Sequence, residues 1–433
     1  MKTIKLVICT LLAVSFSLFG IFGNTRQSES VTKPIEISFM HCHGGASGEL
    51  VSTFCKEFSQ QSGGKYLATA FFVDGLYEGL LERLQMLSLS DSLPEIAQAG
   101  HHYANFMTDN FPVVPLQTFI DKTGYDTSDF FPGMLDLGRD SSGQIVAFPF
   151  GVSTPVLYYN KEMLEANGLT TPPKTFDEVR DYAKKLTNKE HYGIYINFEQ
   201  PGLWMIQSII ENYGEQMLAP DRKSVGFDRA GLKTFEFLNN LVNVDKSMPL
   251  PDGTEQGVIR AQEMFNAGKI AMYITTTGRL GSLQRDAQNT VLTTRFPSED
   301  GKFLSVPGGG NSLYILTHDP EKQEAAWELI KYVSAPEQAN RVAQLFGYMV
   351  VSQKAFNTPE LMGNYLDGNP AARVTYEQVP YMTKWCSFPG SSGTKYVRVT
   401  LDNISAMFQK EKTPEQAFRD TVEQMNEIIR TGM

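Results

Sequence analysis

The chain has 433 residues, of which 42% are hydrophobic and 20% are charged, the composition of an ordinary soluble globular protein. At this length, two lobes are a more natural expectation than one small core. The formal net charge of −10 argues against a nucleic-acid partner, because a protein that binds the phosphate backbone presents a basic face. The negative net charge does not exclude a small anion as the ligand, because a few hydrogen-bond donors in a cleft set the local electrostatic potential there.

Residues 1–23 have the pattern of an export signal. Lys2 and Lys5 precede an apolar run from Leu6 to Phe22, and small residues in and after the run offer cleavage points. An uncleaved membrane anchor is the alternative, because the run approaches the ~17 residues that the shortest membrane spans need. We expect the signal to be removed and the exported chain to be soluble in the periplasm.

The chain contains four cysteines, and Cys9 would leave with the signal. Cys42 is predicted to end a strand and Cys55 to lie within a helix, so a disulfide between them could form but is not implied. With Cys386 the remaining count is odd, and at least one thiol is expected to be free. Core packing is the expected role of Cys55.

The first third of the chain reads as alternating strands and helices. Residues 35–41 alternate like a half-buried strand, and the helix that follows repeats apolar residues at a spacing of four. Residues 66–72 and 94–100 are the next two predicted strands. His101 follows the third strand directly, and ligands of open α/β sheets collect outside the carboxyl ends of strands. His101 is therefore a candidate ligand contact.

Two histidines flank Cys42 at the end of the first strand. His41 and His43 are alternate residues and would project from the same side of a strand, so their imidazoles could share a cation. No acidic residue stands nearby in sequence. A structural role at the rim of a cleft is the main expectation, with a metal site as the alternative, and we predict neither a metal nor a cofactor.

The stretch 148–168 organises the middle of the chain. Prolines and a glycine keep its first part, which includes Ser153, out of any helix. The apolar run 156–159 then predicts a buried strand, and Asn160 is a good N-cap for the helix that follows. An irregular segment with free hydroxyls, followed by a strand and a helix, is typical of a chain that passes between two lobes and lines their cleft.

The second half continues the same alternation. Thr175 and Glu178 predict a capping box at the start of a helix, and Trp204 lies at the start of another. Residues 268–278 predict a buried strand that runs into a hydroxyl-rich turn. The glycine-rich run 306–312 permits close backbone approach, so main-chain N–H groups could point at a ligand. It lacks the lysine of a nucleotide-binding P-loop.

Two of these segments resemble a known family. The sequences FPFGVSTPVLYYNKEMLEANGLTTPPKTFDEV at 148–179 and GKIAMYITTTGRL at 268–280 resemble segments of the extracellular solute-binding proteins of ABC importers. The first segment is most similar to the sn-glycerol-3-phosphate-binding branch. The resemblance covers roughly residues 35–430, nearly all of the chain after the signal.

The resemblance implies an α/β fold, the type II fold of periplasmic binding proteins, in which two lobes are joined by several crossover segments. It predicts an N-terminal lobe of residues 34–149 and 279–334, and a C-terminal lobe of residues 150–278 and 335–433. One small-molecule ligand would bind in the cleft between the lobes. The closed form would dock on the membrane permease of the importer, so the implied function is binding rather than catalysis.

The resemblance also implies a set of ligand contacts. The predicted ligand-binding residues are Tyr77, His101, Ser153, Trp204, Thr276, Thr277, Gly310, Tyr348 and Arg398. Arg398 would be the anion anchor, because a guanidinium fork suits a phosphate or a carboxylate. Each position also has a simpler interpretation: an arginine early in a helix is usually at the surface, and threonine is a good strand residue.

Two positions depart from the branch. His101 stands where the branch carries a glutamate that holds hydroxyl groups of the glycerol. Pro201 stands where the first of two tryptophans would be, and Trp204 matches the second. A histidine can donate to an anion or accept from a hydroxyl, so a polar partner survives while its charge preference changes. One wall of the pocket is therefore expected to differ, which puts glycerol 3-phosphate itself in question.

Three functions compete at this point. The main prediction is the substrate-binding component of an ABC importer that captures a glycerol-phosphate-like organic phosphate. The second is a binding protein of the same fold for a neutral sugar or oligosaccharide, in which Arg398 donates to hydroxyls. The third, an exported hydrolase, lacks support, because the sequence has no Gly-x-Ser-x-Gly elbow and no His-Glu-x-x-His motif.

Overall fold

A computed structural model describes residues 33–198, 203–252, 254–302, 305–389 and 393–432. The predicted export signal at 1–23 and Pro201 lie outside these residues. The chain from Pro34 onward forms one compact unit.

The described strands are β1 (Ile35–His41), β2 (Tyr66–Phe72), β3 (Ile96–Gly100), β4 (Phe148–Ser153), β5 (Pro155–Asn160), β6 (Tyr192–Ile196), β7 (Ile270–Thr276), β8 (Val291–Thr294), β9 (Val306–Ile315) and β10 (Met382–Lys384). The α-helices of the first half are α1 (Gly45–Gln61), α2 (Leu76–Ser88), α3 (Ala104–Asn110), α4 (Leu116–Thr123), α5 (Pro132–Leu135), α6 (Lys161–Ala166), α7 (Phe176–Leu186) and α8 (Trp204–Asn212). Those of the second half are α9 (Arg229–Asn239), α10 (Glu255–Asn266), α11 (Leu280–Asp286), α12 (Pro320–Ser334), α13 (Pro336–Phe346), α14 (Gln353–Asn357), α15 (Asn364–Gly368), α16 (Pro370–Tyr376), α17 (Gly393–Phe408) and α18 (Pro414–Gly432). Within the described ranges, no helix combines the length and the apolar character that crossing a bilayer requires.

The first sheet has the strand order β10-β9-β3-β1-β2, and β4 also pairs with β9. β1 runs parallel to β2 and β3, whereas β9 runs antiparallel to β3 and β4. Helices α1, α2 and α12 pack against its strands. All ten residues of β9 are buried, so this strand lies at the centre of the first sheet.

The second sheet has the strand order β6-β7-β5-β8. β6 runs parallel to β7, and β5 runs antiparallel to both β7 and β8. Helices α7 and α10 pack against β6 and β7, while α16 packs against β8. The apolar runs of β5 and β7 are almost entirely buried, as the sequence predicted for both.

A single residue joins the two sheets in the middle of the chain. Ser153 ends β4 in the first sheet and Pro155 begins β5 in the second, so that only Thr154 lies between them. Two hydrogen bonds connect Thr154 with Thr277, which directly follows β7. The Thr277 backbone N–H donates to Thr154 O at 2.8 Å, and Thr277 Oγ1 accepts from Thr154 N at 3.0 Å. The part that the sequence predicted to be irregular is a strand whose register shifts between Pro149 and Gly151.

The local start signals of the helices are confirmed. Thr175 Oγ1 accepts from Glu178 N at 3.0 Å, and the Glu178 carboxylate accepts from Thr175 N at 3.1 Å, which completes the capping box of α7. Asn160 Oδ1 accepts from Met163 N at 3.0 Å at the start of α6. These contacts involve residues three positions apart, so the sequence alone specifies them.

Sheet membership differs from the lobe boundaries that the sequence suggested. β8 lies in the range 279–334 expected for the N-terminal lobe, but it pairs with β5 of the second sheet. β10 lies in the range 335–433 expected for the C-terminal lobe, but it pairs with β9 of the first sheet. Both strands are short, and such pairings depend on partners distant in sequence rather than on local pattern.

The cysteines form no disulfide in the described part of the chain. Cys42, Cys55 and Cys386 are all free thiols. Cys55 lies buried on α1 within the main hydrophobic core, which confirms its expected packing role. The disulfide between Cys42 and Cys55 that the sequence left open is therefore not formed.

Candidate functional site

The glycine-rich start of β9 is the point at which the predicted site residues meet. A Cβ on Gly309 would lie 2.7 Å from the Trp204 ring and 3.0 Å from Ser153 Oγ. Gly310 has φ of +106°, and a Cβ there would lie 2.0 Å from the carbonyl oxygen of Gly151. Real Cβ atoms are not found so close to other atoms, so only glycine lets β4, β9 and the Trp204 indole approach one another here.

Tyr77 and Tyr348 meet beside this strand. Their hydroxyl oxygens are 3.3 Å apart, and Asn311 Nδ2 donates to Tyr77 Oη at 3.1 Å. Burial raises the pKa of both phenols, so they remain neutral donors. Two residues distant in sequence, at the start of α2 and just after α13, are thus brought together beside Asn311 in the middle of β9.

His101 is buried at the carboxyl end of β3 with unused hydrogen-bonding capacity. Neither ring nitrogen has a hydrogen-bond partner in the described structure. Burial lowers the pKa of His101 to about 4, and the nearby backbone carbonyls of Gly308, Asn311 and Gly309 only partly oppose this shift. The imidazole is therefore neutral near pH 7 and offers one donor and one acceptor.

Aromatic rings cover one side of the site. Trp204 is buried, and its Nε1 donates to Pro307 O at 2.9 Å. The Trp385 ring lies 5.8 Å from that of Trp204 and 4.0 Å from that of His102. Such flat apolar faces can cover the carbon face of a polyol or sugar. No local motif in the sequence points to Trp385, and the signal that could have found it is that the chain has only three tryptophans.

The hydroxyl residues of the crossover are placed close by and are already engaged. Ser153 is buried beside Gly309 at the end of β4. Thr277 Oγ1 accepts from Thr154 N, as described above, and Thr276 Oγ1 accepts from Gly278 N at 3.1 Å. Both threonines therefore hold the crossover in place, and each hydroxyl retains a proton that it can donate.

Arg398 is the predicted residue that does not join this cluster. Its side chain is 83% exposed, and its Nε lies 3.7 Å from Asp402 Oδ2, one turn further along α17. α17 packs against α18 and α9 rather than against β9. In this structure Arg398 thus has the surface position that an arginine early in a helix usually has.

His101 lines a cavity of about 720 Å³, which we call the His101 cavity. Besides His101, its walls include Asn105, Arg139, Gln207, Glu211, Arg222, Lys384 and Trp385. The size suits a small polar metabolite, since ligand pockets commonly span about 300–1,000 Å³. Most of these residues were absent from the predicted site, because they are remote in sequence from one another.

A buried carboxylate forms part of the cavity wall. Glu211 Oε1 accepts from Gln207 Nε2 at 2.8 Å, and Glu211 Oε2 accepts from Thr383 Oγ1 at 3.1 Å and from Ser305 Oγ. Burial raises the pKa of Glu211, while these donors oppose the shift. The sequence signal was the polar pair Gln207 and Glu211, four positions apart in the otherwise largely apolar and wholly buried α8.

The described residues contain no group of three or more His, Cys, Asp or Glu side chains arranged to hold a metal ion. His43, which the sequence offered as a ligand beside His41, instead has its Nε2 2.6 Å from Gln98 Nε2 and its ring 4.4 Å from that of Phe346. The rings of His41 and His43 pack against other aromatic rings, and their nitrogens do not converge on one position where a cation could bind.

Comparison with known proteins identifies the family. The family model described as "Bacterial extracellular solute-binding protein" matches residues 56–364. The chain is 24% identical over 440 residues to the sn-glycerol-3-phosphate-binding periplasmic protein UgpB of Rhizobium meliloti (strain 1021), covering 96% of this chain and 98% of the relative. It is 25% identical over 442 residues to UgpB of Escherichia coli (strain K12), covering 97% of this chain and 96% of the relative.

Solved structures show the same fold at lower identity. UgpB from Mycobacterium tuberculosis in complex with glycerophosphocholine superposes with a TM-score of 0.78 at 18% identity, covering 92% of this chain and 99% of that one. The cyclic alpha-maltosyl-1,6-maltose binding protein from Arthrobacter globiformis gives a TM-score of 0.77 at 18% identity, covering 92% and 100%.

These likenesses confirm the two-lobed α/β fold of periplasmic binding proteins, type II, with its crossover segments. The family match extends over well over half of the chain and agrees with the resemblance seen in the two crossover segments. The chain belongs to the bacterial extracellular solute-binding proteins, the components of ABC importers that bind a small solute and deliver it to a permease.

Proposed function

We propose that the solute is a glycerol-phosphate-like organic phosphate, bound where β9 meets the His101 cavity. The observation that carries this proposal is His101, which is buried against the cavity with both ring nitrogens unpartnered. A buried polar group without a partner costs free energy, so a ligand that supplies hydroxyl or phosphate oxygens would recover it. The names of the UgpB relatives support the same class of ligand.

The binding residues that we propose come from both lobes and from the crossovers. Tyr77, His101 and Gly310 belong to the first sheet and its helices, and Trp204 to the helix α8 that packs on β9. Tyr348 follows α13, and Ser153, Thr276 and Thr277 come from the crossovers. Because the binding free energy would be divided between lobes, closure would be favoured only when a ligand bridges them.

The remaining assignments follow from membership of the family. We propose that residues 1–23 are a cleaved export signal, that the protein works in the periplasm, and that its partner is a membrane permease. We propose the lobe boundaries predicted from the sequence with two changes: β8 is assigned to the second sheet and β10 to the first. Arg398 is exposed on α17, away from the other proposed contacts. We propose that it contacts the ligand only if α17 moves toward the ligand or the ligand extends to α17.

The test is isothermal titration calorimetry on the chain without residues 1–23, using glycerol 3-phosphate, glycerol and maltotriose. We expect binding of the phosphate ester and no measurable binding of the two neutral compounds. Tyr77→Phe should weaken the phosphate ester by about 0.5–1.5 kcal/mol, because one hydrogen bond is lost. Tyr192→Phe, at an exposed tyrosine on β6, is the matched control. Tight binding of maltotriose without binding of glycerol 3-phosphate would contradict the proposal.

The second candidate ligand is a neutral oligosaccharide. The rings of Trp204, Trp385 and His102 lie close together at tilted angles and offer apolar faces, and Glu211 offers a buried carboxylate that could accept from sugar hydroxyls. The Arthrobacter globiformis neighbour is named for such a ligand. The same calorimetry distinguishes the two candidates, because an oligosaccharide site would bind maltotriose and ignore the phosphate group.

A further inference from the structure

Three cationic side chains line the His101 cavity from three separate parts of the chain. Arg139 follows a short 3₁₀ helix at Asp136–Gly138, Arg222 lies in the turn before β-bridged Val225, and Lys384 ends β10. None of them belongs to the predicted site. They meet only because β10 pairs with β9 and the loop after α8 folds back toward it.

Two of the three cations have only neutral partners. Lys384 Nζ donates to Arg139 O at 2.7 Å and to Asp140 O at 3.4 Å, and Arg222 Nη2 donates to Ser387 O at 2.6 Å. Within the described ranges neither forms an ion pair, whereas Arg139 Nε pairs with Asp136 Oδ1 at 2.8 Å. Carbonyl oxygens orient these two groups without forming an ion pair.

The charges also act on one another. Burial of the ammonium group lowers the pKa of Lys384, although the residue as a whole is exposed. The charges of Asp136 and Asp140 oppose this shift, and the positive charges of Arg139 and Arg222 add to it by smaller amounts. An incoming anion would relieve the repulsion that Arg139 and Arg222 exert on Lys384.

The two carboxylates on the cavity wall, Glu211 and Glu215, form no ion pair with the three cations in the part of the chain that the structure describes. Glu215 accepts from the backbone N–H groups of Asp228 at 2.7 Å and Ala230 at 2.9 Å, at the start of α9. Glu211 accepts from the three side chains described above, and burial raises its pKa. Both acids are therefore occupied by other donors.

The backbone at Arg222 is held in an unfavourable conformation. Its φ of +60° is left-handed, and its N–H donates to Ala219 O at 2.8 Å within a turn closed by Ala219 N and Ser224 O at 3.0 Å. A non-glycine residue rarely adopts this conformation, and such strain is retained most often at ligand-binding segments. The turn directs the Arg222 guanidinium to Ser387, on the cavity wall.

From this geometry we infer that Arg139, Arg222 and Lys384 form an anion subsite of the His101 cavity, which holds the phosphate group of the ligand while His101 contacts the polyol oxygens. The inference rests on the proposed function and assigns the anion to this trio rather than to Arg398. His101 is the independent second observation, because it is buried, has no hydrogen-bond partner in the described structure and lines the same cavity. Guanidinium and ammonium donors suit the oxygens of a phosphate ester.

The test is calorimetry of glycerol 3-phosphate against the parent chain and the variants Arg222→Gln, Lys384→Met, their combination, and Arg398→Ala. We expect the double variant to lose at least about tenfold in affinity and to show a weaker dependence on salt, since the charges that attract the anion are removed. Arg398→Ala should stay within about twofold of the parent. Lys302→Met, at an exposed lysine outside the site, is the control.

The outcomes separate the subsite from the proposed ligand. If the parent binds glycerol 3-phosphate but only Arg398→Ala loses it, the subsite is overturned and the proposed function stands. If the parent binds no phosphate ester, both are overturned. Thermal unfolding of each variant verifies folding, and Arg222→Gln alone keeps the test decisive if Lys384→Met does not fold, because Arg222 is exposed and touches only one carbonyl.

Discussion

Two aromatic residues of the candidate site directly follow residues with a left-handed backbone. Leu76, with φ of +55°, precedes Tyr77, and Leu203, with φ of +58°, precedes Trp204. Neither is glycine, and this conformation costs an ordinary residue about 1–2 kcal/mol. Each helix thus begins with local strain that the surrounding packing must overcome.

Leu76 allows a direct test of this strain, because 58% of its surface is exposed and few contacts depend on it. Leu76→Asn should raise the free energy of unfolding by about 0.5–1 kcal/mol in urea denaturation, since asparagine tolerates the left-handed region. Leu89→Asn is the control, at a residue that is 91% exposed and has a right-handed φ of −66°. Equal stability of the two variants would mean that Leu76 is not strained.

His101 is neutral near pH 7, which changes what it can offer to a ligand. A glutamate at this position, as the related branch carries, would accept hydrogen bonds only, whereas the imidazole can both donate and accept. The carbonyls of Gly308, Gly309 and Asn311 close to the ring favour a donor. The departure that the sequence revealed at this position therefore changes the chemistry of the contact as well as its charge.

At the scale of elements, β9 is the strand on which the site depends. It pairs with β3 and β4, lies entirely in the interior, and its three consecutive glycines allow Leu137, Trp204 and the β4 backbone to approach it. A strand interior with three glycines is otherwise unfavourable, because glycine loses more conformational entropy on folding than any other residue. Close approach of its neighbours is the compensating feature.

Gly309→Ala measures that close approach without any left-handed backbone strain. The added Cβ would lie 2.7 Å from the Trp204 ring, so we expect a loss of about 1–3 kcal/mol in the free energy of unfolding and weaker ligand binding. Gly281→Ala in α11 is the matched control, because no atom lies within 4 Å of its added Cβ. It should be neutral or slightly stabilising. An unchanged Gly309→Ala would show that Trp204 can move aside freely.

At the scale of the whole molecule, buried histidines are expected to set the stability at mildly acidic pH. Burial is the main cause that lowers the pKa of His41 and His101 to about 4, and that of His43 and His102 to about 3, from 6.5. The unfolded chain binds these protons near pH 6.5 and the folded chain does not. Folding stability is therefore complete above about pH 6.5 and falls as the pH drops toward about 4.

Urea denaturation at about pH 7 and about pH 5 should show a decrease of at least about 2 kcal/mol in the free energy of unfolding. Carboxylates with a lowered pKa, such as Glu57 beside Arg341, lose their contribution to folding stability only below about pH 4.5. The decrease between about pH 7 and about pH 5 therefore comes from the histidines. His102→Gln should reduce the decrease, and His318→Gln, at an exposed residue, should not. A flat profile above about pH 5 would contradict the prediction.

Features that depend on neighbouring residues could be predicted from the sequence. The capping box of Thr175 and Glu178, the cap at Asn160 and the buried runs of β5 and β7 are encoded within a few positions, and short-range hydrogen bonds and hydrophobic periodicity suffice to predict them. The two crossover segments were distinctive enough to indicate the family, and with it the fold.

The residues that share the cavity could not be predicted from the sequence and are known from the three-dimensional fold. Arg139, Arg222 and Lys384 are separated by long stretches of chain, and the pairing of β10 with β9 helps bring them together. Arg398, which the resemblance favoured, is instead exposed beside Asp402. Local pattern sets the secondary structure of each segment. The position of a charged side chain relative to a cleft depends on long-range packing, whose partners the sequence pattern does not specify.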